Sequence, residues 1–144
     1  MSSIKTTVCV ILGAIGSFIA NLVGGWTEDM ATLVTFMAID FIMGLLIALV
    51  FKKSNKSYNG TADSKVCFKG LCKKGVILLF VLIAHRLDLA LNCDYIRTAT
   101  IIGFMANELL SIIENAGIMG VPLPSVITRA IETLKDKGDS NDSK

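Results

Sequence analysis

The chain has 144 residues, 53% hydrophobic and only 7% aromatic, with a mean hydropathy of +0.65. Soluble domains alternate apolar and polar residues at short periods, so the long unbroken apolar runs here exclude that class and indicate an integral membrane protein. A net charge of +2 is too small to argue for a nucleic-acid partner.

The first apolar run, TTVCVILGAIGSFIANLVGG, predicts a helix over residues 6–25. It is longer than the core of a signal peptide and lacks an A-x-A cleavage site, so it reads as a retained membrane helix. Gly16, Ala20 and Gly24 recur every fourth position, with Gly13, Ser17 and Asn21 beside them. At 3.6 residues per turn this makes one small-residue face, suited to close approach by another helix. A short acidic break, Trp26 to Asp29, separates it from a second predicted helix over 30–51. That run is apolar except for Asp40 near its middle, with Gly44 and Ala48 continuing a small-residue line beyond it.

Residues 52–74 carry seven lysines, Lys52, Lys53, Lys56, Lys65, Lys69, Lys73 and Lys74, against one acid, Asp63. Such a loop stays on the cytoplasmic side and attracts anionic lipid, which places the N-terminus inside and Glu28 and Asp29 outside. A third helix is expected over 75–93, turning polar at His85, Arg86 and Asp88, and a fourth over 98–117. Both carry charges that penalise insertion, so the expectation is three to four spans. Pro122 and Pro124 end the last one, and residues 125–144 read as a cytoplasmic segment. In it Val126, Ile127, Ala130, Ile131 and Leu134 form one apolar side over 125–137, followed by a disordered polar tail. The fold class is thus all-α: a small polytopic membrane protein with a short C-terminal amphipathic helix. Met30 also offers an internal start that would give a product without the first helix.

The polar residues of the last two runs carry the functional question. At about 100° per residue, Asn107, Glu108, Ser111, Glu114 and Asn115 fall within roughly 120° of one another. In the third run His85, Asp88 and Asn92 share a side, and Arg86 points away. Ionisable groups at membrane depth face a bundle interior or water, rarely lipid. Three readings fit: static pairing of Asp40, Arg86, Asp88 and Glu108 within one bundle, a small transporter or proton channel titrating His85 and Glu108, or polar faces that meet between copies and line a hole.

No catalytic set is present: the sequence has no GxSxG, phosphate loop or HExxH, and His85 with Asp88 has no nucleophile beside it. The four cysteines, Cys9, Cys67, Cys72 and Cys93, lie in different segments apart from the middle two, and no metal or other cofactor is expected.

Several motifs, in order, resemble the phage lysis holins of Gram-positive phages and the clostridial toxin-secretion holins. They are DFIMG from Asp40 to Gly44, FKGLCKKG from Phe68 to Gly75, Asp88 late in the third run, and NELLSIIENAGIMGVPLP from Asn107 to Pro124. The resemblance implies a multi-pass protein of the host bacterium's cytoplasmic membrane. Such a protein assembles into a large homo-oligomer and opens timed, non-specific lesions. An endolysin or toxin then passes as cargo without stable binding. The resemblance itself assigns no ligand or catalytic role to the polar motif.

Overall fold

A computed structural model describes residues 2–51, 64–130 and 132–133. Lys52, Lys53, Lys56, Asp63, Ile131, Leu134 and the polar tail lie outside the described residues. The described chain is all-α: α1 (Ser2–Leu22), α2 (Glu28–Leu46) with a π-helical extension Ile47–Phe51, α3 (Ser64–Leu91) and α4 (Ile96–Met119). Residues 125–130 are also helical, with Val126 and Ile127 exposed.

Local chemistry fixes the helix ends. Gly24 has φ +88° and Gly25 φ +92°, where a side chain is strained, and the Gly25 amide donates back to the Ala20 carbonyl at 2.8 Å. α2 starts beyond Thr27, which is extended; the Asp29 carboxylate accepts the Met30 amide at 2.9 Å and the Thr27 hydroxyl. Glu28 and Asp29 also put negative charge on the positive end of the helix dipole. α4 closes at left-handed Gly120, where the Val121 amide reaches the Ala116 carbonyl at 3.0 Å ahead of the two prolines.

By length and apolarity α1, α2 with its extension, and α4 qualify as membrane spans. At 28 residues, roughly 42 Å, α3 is long enough too, but four lysines, Arg86 and Asp88 break its apolar window. It links the far end of α2 to the near end of α4 and packs antiparallel beside them, running alongside the same bundle. The sequence placed residues 64–74 in a surface loop, whereas the structure continues α3 through them. The reason is that Lys65, Lys69, Lys73 and Lys74 are good helix formers, and Lys74 has a buried partner set that the run of lysines does not reveal.

α2, α3 and α4 form the bundle. Met30, Leu33 and Met37 of α2, Val81 of α3 and Ile101 of α4 meet with Val23 in one cluster, with Leu33, Val81 and Ile101 fully enclosed. Within lipid the gain comes from close packing rather than from escaping water, because lipid tails are as apolar as leucine. α1 stands apart from this bundle: its apolar window is wholly unburied, and Ile11, Ile15 and Phe18 are all exposed. Gly13, Gly16 and Ser17 are exposed as well, and a Cβ added at either glycine meets nothing within 4 Å. Gly24, expected on that packing face, is instead in the turn after α1, because only a residue without a Cβ fits its positive φ and its neighbours.

Candidate functional site

The apolar layer lies between two polar clusters, one at the α1–α2 turn and one in the middle of the bundle. At the turn, Arg97 in the first turn of α4 is 8% exposed. Its Nε donates to the Val23 carbonyl at 2.6 Å, and one terminal nitrogen donates to the Gly25 carbonyl at 3.1 Å and the Thr27 hydroxyl at 2.9 Å. The other terminal nitrogen stands 3.7 Å from Asp29. A guanidinium suits this site because its fixed fork reaches several acceptors at once. Gly24 explains how the turn comes so close: a Cβ there would lie 2.7 Å from His85 Nδ1 and 3.0 Å from Arg97 Nε.

Asp88 belongs to the same end. Its carboxylate accepts the amides of Ile96 and Arg97, both at 2.9 Å, and the Cys93 thiol at 3.2 Å. An acidic group from α3 thus caps the first turn of α4, satisfying donors that would otherwise be orphaned. Left-handed Asn92 (φ 53°) lets the chain turn between the two helices, and its own position is exposed.

The central cluster is built only from side chains. Lys74 Nζ lies 2.9 Å from Asp40 Oδ2 and 2.5 Å from Glu108 Oε2, and Asn115 Nδ2 donates to Asp40 Oδ1 at 3.0 Å. All four are largely enclosed, with the Lys74 side chain 12% exposed. Asp40 is twelve residues from the start of α2, and Glu108 twelve from the start of α4, each about 18 Å along a 24-residue span. Lys74, assigned from sequence to the membrane surface, therefore sits at mid-span, where its amino group is shared between two acidic side chains. Asn115 supplies a further donor to that site. Every buried side-chain nitrogen and oxygen among the described residues has a partner.

The structure divides the predicted α4 stripe. Glu108 and Asn115 turn inward, Ser111 is half-buried, and Asn107 and Glu114 are exposed with no partner among the described residues. Residues 108 and 115 share one helix side and 107 and 114 the next, because seven residues return within about 20° of the start. Of the α3 set, Asp88 is buried, His85 half-buried and Arg86 exposed. Lys65, Lys69 and Lys73 are exposed, Gly44 is half-buried with open space around it, and Ala48 is buried. Arg97 escaped the sequence reading because it lies in the short connector before the expected fourth helix. The one available signal was its isolated positive charge on the same side as Glu28 and Asp29.

All four cysteines are free, and among the described residues no three histidines, cysteines or carboxylates converge as a metal site. The polar groups serve each other and the backbone.

Comparison with known proteins places this arrangement. An uncharacterized protein of Listeria monocytogenes is 37% identical over 135 residues, covering 93% of this chain and 90% of its own. A Clostridium perfringens protein, also uncharacterized, is 30% identical over 136 residues, covering 92% and 95%. A probable holin of Bacillus phage phi105 is 31% identical over 107 residues, covering 74% and 73%. No solved structure matches the chain. The bacteriophage holin family matches residues 17–136, a stretch that contains both polar clusters and the whole α2–α4 bundle, and the chain belongs to that family.

Proposed function

We propose that this holin accumulates in the bacterial cytoplasmic membrane, assembles with copies of itself, and opens lesions through which an endolysin or a secreted toxin leaves the cell. The observation that carries the reading is the division of polar residues within an otherwise apolar bundle. Asp40, Lys74, Glu108 and Asn115 satisfy one another inside a single chain, so a lone copy tolerates lipid. Asn107, Glu114 and Arg86 remain outward-facing in membrane-depth helices with no partner among the described residues. Polar groups in lipid are costly while unpaired, so crowding of copies relieves that cost and gathers hydrophilic surface around water. The apolar α1, with no buried residue in its span window, supplies a further surface for assembly through Gly13, Gly16, Ser17 and Ala20. In this orientation the N-terminus and the lysine-rich connector face the cytoplasm, where Lys65 and Lys69 attract anionic headgroups.

A transporter using His85 and Glu108 is less well supported, because the two belong to different clusters. His85 is against Gly24, eleven residues or about 16 Å along α3 from Lys74, which holds Glu108. Expression in bacteria separates the readings. Sudden, delayed collapse of membrane potential with release of a folded cytoplasmic reporter is expected; solute-selective flux with the potential intact, or no effect on growth at high expression, defeats the proposal.

A further inference from the structure

Two exposed stripes share one period and opposite chemistry. On α4 the outward residues Gly103, Asn107, Leu110, Glu114 and Gly117 are spaced 4, 3, 4 and 3, and all but half-buried Leu110 are exposed. On α3 the outward residues Lys69, Lys73, Val76, Phe80, Ile83 and Leu87 are spaced 4, 3, 4, 3 and 4, and all are exposed. Such spacing is the seam of two helices packed at a shallow angle, yet neither stripe is covered by the described residues.

Depth relates the stripes. Lys74 meets Glu108, which sets α3 and α4 in antiparallel register at that level. Counted from it at about 1.5 Å per residue, Glu114 lies roughly 9 Å toward the end of the bundle where α3 begins, and Lys73 and Lys69 lie roughly 1.5 and 7.5 Å the same way. Helical side chains lean toward their own N-terminus. The lysines of antiparallel α3 therefore lean toward the depth of Glu114, and Glu114 leans back toward Lys73. In the other direction Gly103 lies roughly 7.5 Å from the reference level and Phe80 roughly 9 Å, so a half-exposed ring faces a position without a side chain. A Cβ at Gly103 or Gly117 meets nothing within 4 Å, which leaves room for a neighbouring helix to approach.

We propose that the Asn107–Glu114 face of α4 docks on the Lys73–Phe80 face of α3 in a second copy, with Glu114 paired to the neighbour's Lys73 and Phe80 seated over Gly103. This deepens the lesion-forming reading by naming the contact between copies. Copies inserted in the same orientation keep Phe80 and Gly103 within about 1.5 Å in depth, and the roughly 7.5 Å between Lys73 and Glu114 is spanned by two long side chains leaning toward each other. Glu114 has no partner among the described residues: Asp40, the polar residue of α2 near that depth, is itself an acid held by Lys74 and Asn115, and a carboxylate at that depth is tolerated only when paired or wet.

The test uses full-length chains in bacteria, with membrane levels checked by immunoblot and lysis onset as the readout. Glu114→Lys alone and Lys73→Glu alone are expected to abolish or strongly delay lysis. Co-expression of the two single variants is expected to restore the wild-type onset, since each then meets the other's opposite charge. Cysteine-free chains carrying Gly103→Cys and Phe80→Cys, positions within about 1.5 Å of each other in depth, co-expressed and oxidised in membranes, are expected to cross-link to each other. Normal lysis by either single charge variant overturns the contact. So does rescue only when both changes are in one chain, which makes the pair internal, failure of every combination to rescue, or absence of the cross-link. In each of those outcomes lysis by the wild-type chain leaves the holin reading standing, whereas its own failure to lyse cells defeats that reading separately.

Discussion

The two polar clusters solve the same problem in lipid by different means. At the turn, Arg97 and Asp88 satisfy backbone groups: Arg97 takes the carbonyls of Val23 and Gly25, and Asp88 takes the amides of Ile96 and Arg97. In the middle, Asp40, Lys74, Glu108 and Asn115 satisfy only one another. A side chain bound to backbone fixes where a turn sits. A set of side chains bound to each other fixes which helices are neighbours and at what register, and it stands or falls as a unit. The first cluster is architectural punctuation; the second specifies the bundle.

That contrast ranks the consequences of breaking each one. Lys74→Met strands two carboxylates at mid-span and is expected to destabilise the bundle by about 3–5 kcal/mol, read as unfolding of the purified protein in bicelles. Replacing the set together, as Asp40→Leu, Lys74→Met and Glu108→Leu, is expected to cost much less than Lys74→Met alone. If the triple variant is the worse of the two, the cluster is not the closed unit described. Arg97→Met removes donors from two carbonyls and a hydroxyl near the membrane boundary, where water partly replaces them. A loss of about 2–3 kcal/mol is expected, together with faster proteolysis at residues 23–27; unchanged proteolysis counts against the tethering role. Asp88→Ala removes the cap of α4 at a cost of about 1 kcal/mol, and Asp88→Asn recovers part of it because one oxygen acceptor remains. Faster amide exchange at Ile96 and Arg97 is the measurement for both. Smallest of all is Gly16→Leu in α1, where no neighbour is displaced: bundle stability should stay within about 0.5 kcal/mol. Lysis onset should still shift if α1 packs between copies, and an unchanged onset argues that α1 takes no part in assembly.

Helices that owe their existence to apolar runs were legible in the sequence, and α1, α2 and α4 lie close to where hydropathy placed them. Asp40 and the Asn107–Asn115 stripe also stood out, because a polar residue in hydrocarbon is conspicuous on its own. Lys74 did not stand out. Among seven lysines it looks like loop charge, and nothing local separates it from Lys73, which points outward. Arg97 was hidden for a related reason: its acceptors lie about 70 residues earlier in the chain.

The family, the all-α class and the membrane setting were determined by composition and by motifs in order, since each depends on residues close together in the chain. Which member of each polar group turns inward was decided only by the packed bundle. A one-residue step on a helix is a rotation of about 100°, so neighbours such as Lys73 and Lys74, or Asn107 and Glu108, are nearly equivalent in sequence and are sent to opposite environments by the helices beside them.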